Sequence, residues 1–365
     1  MNRSILKHET RSMKWISLLS VIISFFIILM FSINLNTKYE RMIFDGISGN
    51  ETLIKDAMER IIVPMVLVLF TVIAIIQVFM QFQSEKGQEI GRFLKALPIK
   101  REEFFKVKIL LGLANITLGF IVLIIGLIVV RKSNMFWIKD IYKISLISEP
   151  FIEIDSVGTI LKEMGIIYFV VISFYTFLFM IQYTFTHTVG GIVTGILIWL
   201  APLFLLWATI LTLGRFNIVS IYRSELLNKI LEKANWLLPW AYPIDYGSID
   251  LIIDNTGRSI VRKNIIENLP LKYLVGIILS SLNITIAYKF AKNSKIEDEN
   301  RIIIFKIFRQ IFKFGVTICS GLLVSMIFNR FLMIEINNIL FLIIILVSAY
   351  IGYFISNKIT EVGNR

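Results

Sequence analysis

The chain has 365 residues, of which 56% are hydrophobic, and its mean hydropathy is +0.76. Soluble domains rarely combine these values, so a soluble globular protein is excluded. A net charge of +12 could suit nucleic acid, but the basic residues lie mostly beside long apolar runs, where they orient membrane helices. We therefore expect a lipid bilayer as the partner, and no nucleic acid.

The first apolar run, residues 15–35, follows four basic residues near the N-terminus. It is longer than the core of a signal peptide, and no small-residue cleavage site follows it. We predict a retained first span with the N-terminus in the cytoplasm.

Seven further runs are long enough to cross a bilayer, which requires about 20 mostly apolar residues. They are residues 61–82, 109–130, 165–186, 189–213, 273–288, 314–329 and 336–356. None of the eight runs contains Asp, Glu, Lys or Arg, and an intramembrane charge is the usual mark of an ion or proton pathway. The pattern predicts an all-α polytopic transmembrane helical bundle whose energy for any uphill transport comes from outside its own spans.

Two of these spans are open to another interpretation. Residues 165–213 form nearly one apolar block, which we divide at 187–191, where small and polar residues permit a tight turn. The seventh run is short before Arg330, whose stem can reach the interface. We predict about eight spans, with six as the alternative count.

The distribution of Lys and Arg predicts the orientation. With both termini in the cytoplasm, the inside segments carry nearly twice the basic density of the outside loops. This assigns 84–108 and the linker 292–313 to the cytoplasm and the loop 214–272 to the outside, within a single transmembrane domain, 1–365.

Small residues recur on two of the predicted spans. Gly112, Gly119 and Gly126 share one face of the third span, and Gly191 and Gly195 form a GxxxG pair in the fifth. Both patterns indicate close helix packing, either within one chain or between two copies. We interpret the polar residues in or near the spans as interhelical hydrogen-bonding groups rather than substrate ligands: Gln77, Gln81, Asn115, Gln182, Thr184, Thr186, Asn283 and Thr285.

The segment between the second and third spans, residues 84–108, reads SEKGQEIGRFLKALPIKREEFFKVK. Ile90, Phe93, Leu94 and Leu97 follow helical spacing and predict an amphipathic helix that Pro98 ends. A second helical stretch with Glu102, Glu103, Phe104 and Phe105 then leads into the third span. Such a segment either transmits motion from a soluble partner or anchors the loop at the membrane surface.

This segment resembles the coupling-helix region of type-2 ABC exporter permeases from Gram-positive bacteria. The residues that carry the resemblance are Leu94, Leu97, Pro98, Ile99, Arg101, Glu103, Phe104, Phe105 and Lys108. Residues 294–314 look like the cytoplasmic link before the last helix pair in an eight-span branch of such permeases, and the N-terminal ILKHETRSMKW looks like their entry helix.

The resemblance implies a permease subunit of the bacterial cell membrane that is driven by a separate ATPase subunit and pairs with a second permease, identical or different. It implies that the coupling segment docks on the ATPase. The candidate contacts are Glu89, Phe93, Leu94, Leu97, Pro98, Arg101, Glu102, Glu103, Phe104 and Phe105. The chain has no G-x-x-x-x-G-K-[ST] phosphate loop, so ATP is expected on the partner alone.

Other chemistry finds little support in the sequence. The two histidines, His8 and His187, have no Cys or second His at metal-ligand spacing, and the single Cys319 lies in an apolar run. We expect no catalytic residue, no metal and no bound cofactor. The alternative function is a transporter, flippase or other membrane factor that works without an ATPase.

Overall fold

The computed structural model describes residues 3–45, 54–86, 101–144, 156–216, 250–253, 259–262, 269–293, 303–327 and 337–361. Nearly all of them are helical, which confirms the predicted all-α bundle. The helices are α1 Arg3–Asp45, α2 Ile54–Ala57, α3 Val63–Lys86, α4 Arg101–Ser133, α5 Met135–Ile144, α6 Val157–Gln182, α7 Thr188–Arg215, α8 Leu269–Asn293, α9 Lys306–Ile327 and α10 Asn338–Glu361.

A π-helical turn, Met58–Ile62, joins α2 to α3 without a break. The Val63 N–H donates to the Met58 carbonyl, five residues back, and the next residue is Pro64. Proline has no N–H to donate, so it is tolerated in the first turn of a helix, and the wider turn carries the chain across this point.

Eight helices in the described ranges are long and apolar enough to cross a membrane, as predicted: α1, α3, α4 and α6 to α10. The apolar block divides where we expected, because α6 ends at Gln182 and α7 begins at Thr188. His187 before α7 has an extended backbone, which turns the chain between the two helices. The helix before Arg330 is also present as α9, so the count is eight rather than six.

A short antiparallel hairpin interrupts the helical pattern inside the loop 214–272. Strands β1 Asp250–Ile253 and β2 Ser259–Arg262 pair with Asp250 opposite Arg262 and Ile253 opposite Ser259. Each strand contains two β-branched residues, which favour extended backbone: Ile252, Ile253, Ile260 and Val261. The sequence interpretation missed this element.

The chain divides into two compact units, each assembled from three segments. The first comprises Met1–Gln81, Glu103–Thr176 and Pro239–Leu282, and the second comprises Phe82–Glu102, Phe177–Leu238 and Asn283–Arg365. The boundaries fall inside α3, α4, α6 and α8.

Within the first unit, polar and aromatic contacts join α4 to its neighbours. Ser17 of α1 donates to Asn115 Oδ1 at 2.7 Å, and Ser24 of α1 donates to the Gly119 carbonyl at 2.9 Å. The Phe120 ring lies 4.4 Å, between centroids, from a ring of α3, Phe70. These contacts place α4 between α1 and α3.

Within the second unit, α9 packs along α10 and also contacts α7. Thr212 of α7 and Ser325 of α9 share a hydrogen bond of 2.8 Å. The guanidinium of Arg215 lies 4.2 Å from the centroid of the Phe341 ring of α10, so the end of α7 is held against both helices.

The candidate spans differ in how much of each is buried within the protein. In α6, 78% of the apolar 18-residue stretch that could cross the membrane is buried, whereas in α7 only 6% of the corresponding stretch is buried. A helix that is apolar all round and buried belongs to the core, and one that is apolar but exposed suits contact with lipid. Helix α6 is therefore a core helix, and α7 presents most of its surface outward.

Candidate functional site

The segment that sequence analysis singles out, 84–108, is described at its two ends: 84–86 closes α3, and 101–108 opens α4. Lys86, the last residue of α3, donates to both the backbone carbonyl and the side-chain Oε1 of Gln182, each at 2.6 Å. Because Gln182 is the last residue of α6, this lysine ties the ends of two helices together. A charged donor makes these hydrogen bonds stronger than neutral ones.

On the other side of the segment, α4 begins at Arg101 and continues unbroken to Ser133. This confirms the predicted helical stretch that leads into the third span. A helix transmits displacement along its axis, so whatever moves Arg101 also moves the span that follows.

The predicted contact residues at the start of α4 differ in exposure. Residues 101–104 are half-buried, whereas Phe105 is buried at 3% exposure and is covered by the protein itself. Glu102 lies 3.8 Å from Lys292 Nζ, near the end of α8. Lys292 is exposed and Glu102 is half-buried, so this ion pair is weak, although it brings the start of α4 to α8.

The remaining predicted contact residues lie outside the described residues: Glu89, Phe93, Leu94, Leu97 and Pro98.

The linker 292–313 is attached to the turn between α6 and α7. The Ile304 N–H donates to the Thr184 carbonyl at 2.9 Å, and Ile303 forms an antiparallel bridge with Phe185. Phe305 of the linker stacks against Phe290 of α8 at 4.5 Å between centroids. The linker is thus fixed to two helical ends, which the sequence did not reveal.

A buried polar cluster lies in the first unit, between α3, α4 and α6. Gln81 Nε2 donates to the Lys108 carbonyl at 2.9 Å, and Lys108 Nζ donates to the Gln81 carbonyl at 2.7 Å. The Tyr175 hydroxyl of α6 donates to Gln81 Oε1 at 3.1 Å. All three side chains are buried. Gln81 thus forms the interhelical hydrogen bonds expected of it.

Two more of these polar residues connect elements of the chain. Asn115 accepts from Ser17, and Gln182 accepts from Lys86 while its Nε2 donates to the Thr188 carbonyl at 3.2 Å. The Thr184 hydroxyl instead makes a local bond, because it donates to the Ile181 carbonyl at 2.8 Å within its own turn.

The glycines of the third span lie against side chains of the same chain. A Cβ on Gly112 would meet Tyr175 and Gln77, a Cβ on Gly119 would stand 2.9 Å from the Phe70 ring, and Gly126 faces Ile28. All the neighbours belong to the first unit.

The GxxxG pair of the fifth span lies against α6. A Cβ on Gly191 would stand 2.9 Å from Gln182 Nε2, and one on Gly195 would stand 2.6 Å from Leu178 Cδ2. These separations are shorter than van der Waals contact, so a Cβ at either position would require the end of the Gln182 or Leu178 side chain to shift.

Across the described ranges, no group of three His, Cys, Asp or Glu side chains could hold a metal ion. His187 precedes α7 and makes no side-chain hydrogen bond to the helix start, and Cys319 is a half-buried free thiol in α9.

Sequence reasoning missed the burial of Lys108, which is 2% exposed. Lysine at the edge of an apolar run usually extends its stem toward the interface, and here it turns inward. The available signal was Gly112 one turn later, because a glycine on the same face indicates close packing against neighbouring helices.

Comparison with protein-family models, with curated proteins and with solved structures finds no significant match to this chain.

Proposed function

We propose that this chain is the membrane-spanning permease subunit of a type-2 ABC exporter, driven by a separate ATPase subunit. The observation that carries the proposal is the segment 84–108, whose sequence resembles a coupling helix and whose last part is a helix continuous with a span. The eight candidate spans agree with the eight-span branch of that family.

In the proposed mechanism, the two ends of the segment 84–108 transmit its motion to the spans. The ATPase binds 89–104 on the cytoplasmic side and shifts this segment during its nucleotide cycle. Since α3 ends at Lys86 and α4 begins at Arg101, the shift reaches both helices through the covalent chain. Lys86 passes part of it to α6 through Gln182, and the weak Glu102–Lys292 pair passes a smaller part to α8.

The absence of charge from the eight apolar runs supports an external source of energy. An ion-driven transporter needs titratable or ion-binding groups within its spans. In the proposed assembly, ATP is bound by the partner alone, and a second permease subunit completes the pathway in the bacterial cell membrane.

The docking step is tested by replacing Phe93 and Leu97 together with Ser. Their burial against a partner would contribute about 3–5 kcal/mol if both are fully covered. We expect the double variant to insert normally and to lose the ATPase in a pull-down from detergent extract. Glu103→Lys should weaken binding less, because a charge at the rim mainly changes the association rate.

The matched control replaces Ile43 and Phe44 with Ser at the end of α1. These residues are 62% and 86% exposed and lie at the predicted outside face. This control should retain the ATPase. If the Phe93/Leu97 variant also retains it at wild-type yield with stimulated activity, the contact lies elsewhere, and the linker 292–313 becomes the next candidate.

A further inference from the structure

The hydrogen bonds between α3 and α4 are reciprocal. The side chain of Gln81 donates to the backbone of Lys108, and the side chain of Lys108 donates to the backbone of Gln81. Each bond therefore uses a side chain from one helix and a carbonyl from the other. Removing one side chain therefore leaves the acceptor of the other side chain in place.

The burial of this pair makes it selective for one register. An ammonium group out of water is costly unless hydrogen bonds satisfy it, and Lys108 is 2% exposed. A one-turn slide of α3 along α4 would offer the ammonium another backbone carbonyl, but it would separate the Gln81 side chain from both the Lys108 carbonyl and the Tyr175 hydroxyl. The observed register is therefore favoured through the Gln81 side chain.

A third helix joins the same point. Tyr175 of α6 donates to the Gln81 side chain, and Gly112 of α4 leaves the space that Tyr175 and Gln77 occupy. A Cβ on Gly112 would stand 2.6 Å from Gln77 Nε2. The cluster is filled by its own side chains, which suits a mechanical joint rather than a ligand pocket.

We propose that Gln81, Lys108 and Tyr175 form a polar clamp that holds α3, α4 and α6 in register. The segment 87–100 is attached to α3 and α4, so a force on it would otherwise part the two helices. When the hydrogen bonds of the clamp are intact, a force on the segment moves α3 and α4 together. The source of the force rests on the proposed function, whereas the clamp itself is a property of the first unit. The three residues are positioning residues, which act by holding the helices together.

The test compares Lys108→Met, which removes only the charged donor from a chain of similar length, with Lys106→Met. Lys106 lies on the same helix and is exposed. Spin labels at Ile76 of α3 and Leu110 of α4, both exposed, report the separation of the helices in a Cys319→Ser background. We expect Lys108→Met to broaden the distance distribution and Lys106→Met to leave it unchanged.

The second readout separates the clamp from docking. Lys108→Met should bind the ATPase at wild-type yield in a pull-down but lose the stimulation of ATP hydrolysis by the permease. A merely structural defect would lower binding and stimulation together. Unchanged distances and unchanged stimulation in Lys108→Met would overturn the clamp.

Two further variants decide the case if Lys108→Met does not yield folded protein. Gln81→Met and Tyr175→Phe each remove side-chain hydrogen bonds while the backbone carbonyl that accepts from the Lys108 ammonium stays in place, and each should broaden the same distribution. A wild-type distribution in both would overturn the clamp. If the wild-type chain binds no ATPase, the proposed function fails, and the spin-label comparison still decides whether the clamp exists.

Discussion

Lys86 Nζ donates to two oxygens of one residue, the backbone carbonyl and the side-chain Oε1 of Gln182, each at 2.6 Å. Lys86 ends α3 and Gln182 ends α6, so one ammonium group joins two helix ends. The positive charge of Lys86 also interacts favourably with the dipole of α3, because a cation in the last turn of a helix faces the partial negative charge there.

Lys86→Met should remove both hydrogen bonds while keeping the apolar stem. Because Lys86 is half-buried, we expect a loss of about 1–2 kcal/mol in the free energy of unfolding. The measurement is thermal unfolding in detergent, followed by size-exclusion chromatography of the surviving protein. Lys132→Met, at an exposed site in the last turn of α4, is the control and should melt as wild type. Equal melting of the two variants would show that the Lys86 contact contributes no stability.

Gly119→Ala should destabilise the first unit. Its new Cβ would stand 2.9 Å from Phe70 Cε1 and 3.2 Å from Ser20 Cβ, and overpacking of this kind costs about 1–3 kcal/mol. The matched control is Gly315→Ala in α9, where no atom lies within 4 Å of the new Cβ. Since alanine is the better helix former by about 1 kcal/mol, the control should be neutral or slightly stabilising. The reverse order of melting temperatures would contradict the packing of α4.

Phe290→Ala should loosen the attachment of the linker. The ring of Phe290 contacts Phe305 at 4.5 Å and Phe308 at 5.5 Å between centroids. Aromatic pairs contribute about 0.5–1.5 kcal/mol beyond the area that they bury. Hydrogen–deuterium exchange of a peptide that covers Ile304 should become faster, because its N–H bonds to Thr184. Phe314→Ala, at a 71% exposed site on α9, is the control, and equal exchange in both variants would argue against the aromatic attachment.

The orientation predicts which loops an impermeant thiol reagent reaches. In a Cys319→Ser background, Ser224→Cys in the loop 214–272 should be labelled in intact cells, whereas Ser84→Cys near the end of α3 should not. Ser84 is exposed in the structure, so a lack of labelling would reflect the membrane barrier rather than burial. Labelling of Ser84→Cys but not Ser224→Cys would invert the topology.

The spans could be predicted from the sequence because each is a long run without charge. The division of the block 165–213 was equally readable, since His187 to Gly191 interrupts the run with small and polar residues. What each span packs against was not readable. The seven-residue spacing places Gly112, Gly119 and Gly126 on one face, but only the structure identifies Tyr175, Phe70 and Ile28 as their neighbours.

Two features were missed, and only one of them was hidden for a physical reason. The partner of Lys108 is a backbone carbonyl, which every residue carries, so no pattern of side chains indicates it. The two strands were readable in the sequence, because both contain β-branched residues and they are separated by Asp254, Asn255 and Gly257, residue types that favour turns.

The proposed dependence on a separate ATPase is tested by purifying the wild-type chain from its own cells in mild detergent. We expect an ATPase with a G-x-x-x-x-G-K-[ST] phosphate loop to co-purify in stoichiometric amount, and we expect this complex to hydrolyse ATP. A chain that purifies without such a partner and still transports its substrate under an ion gradient alone would contradict the proposed function.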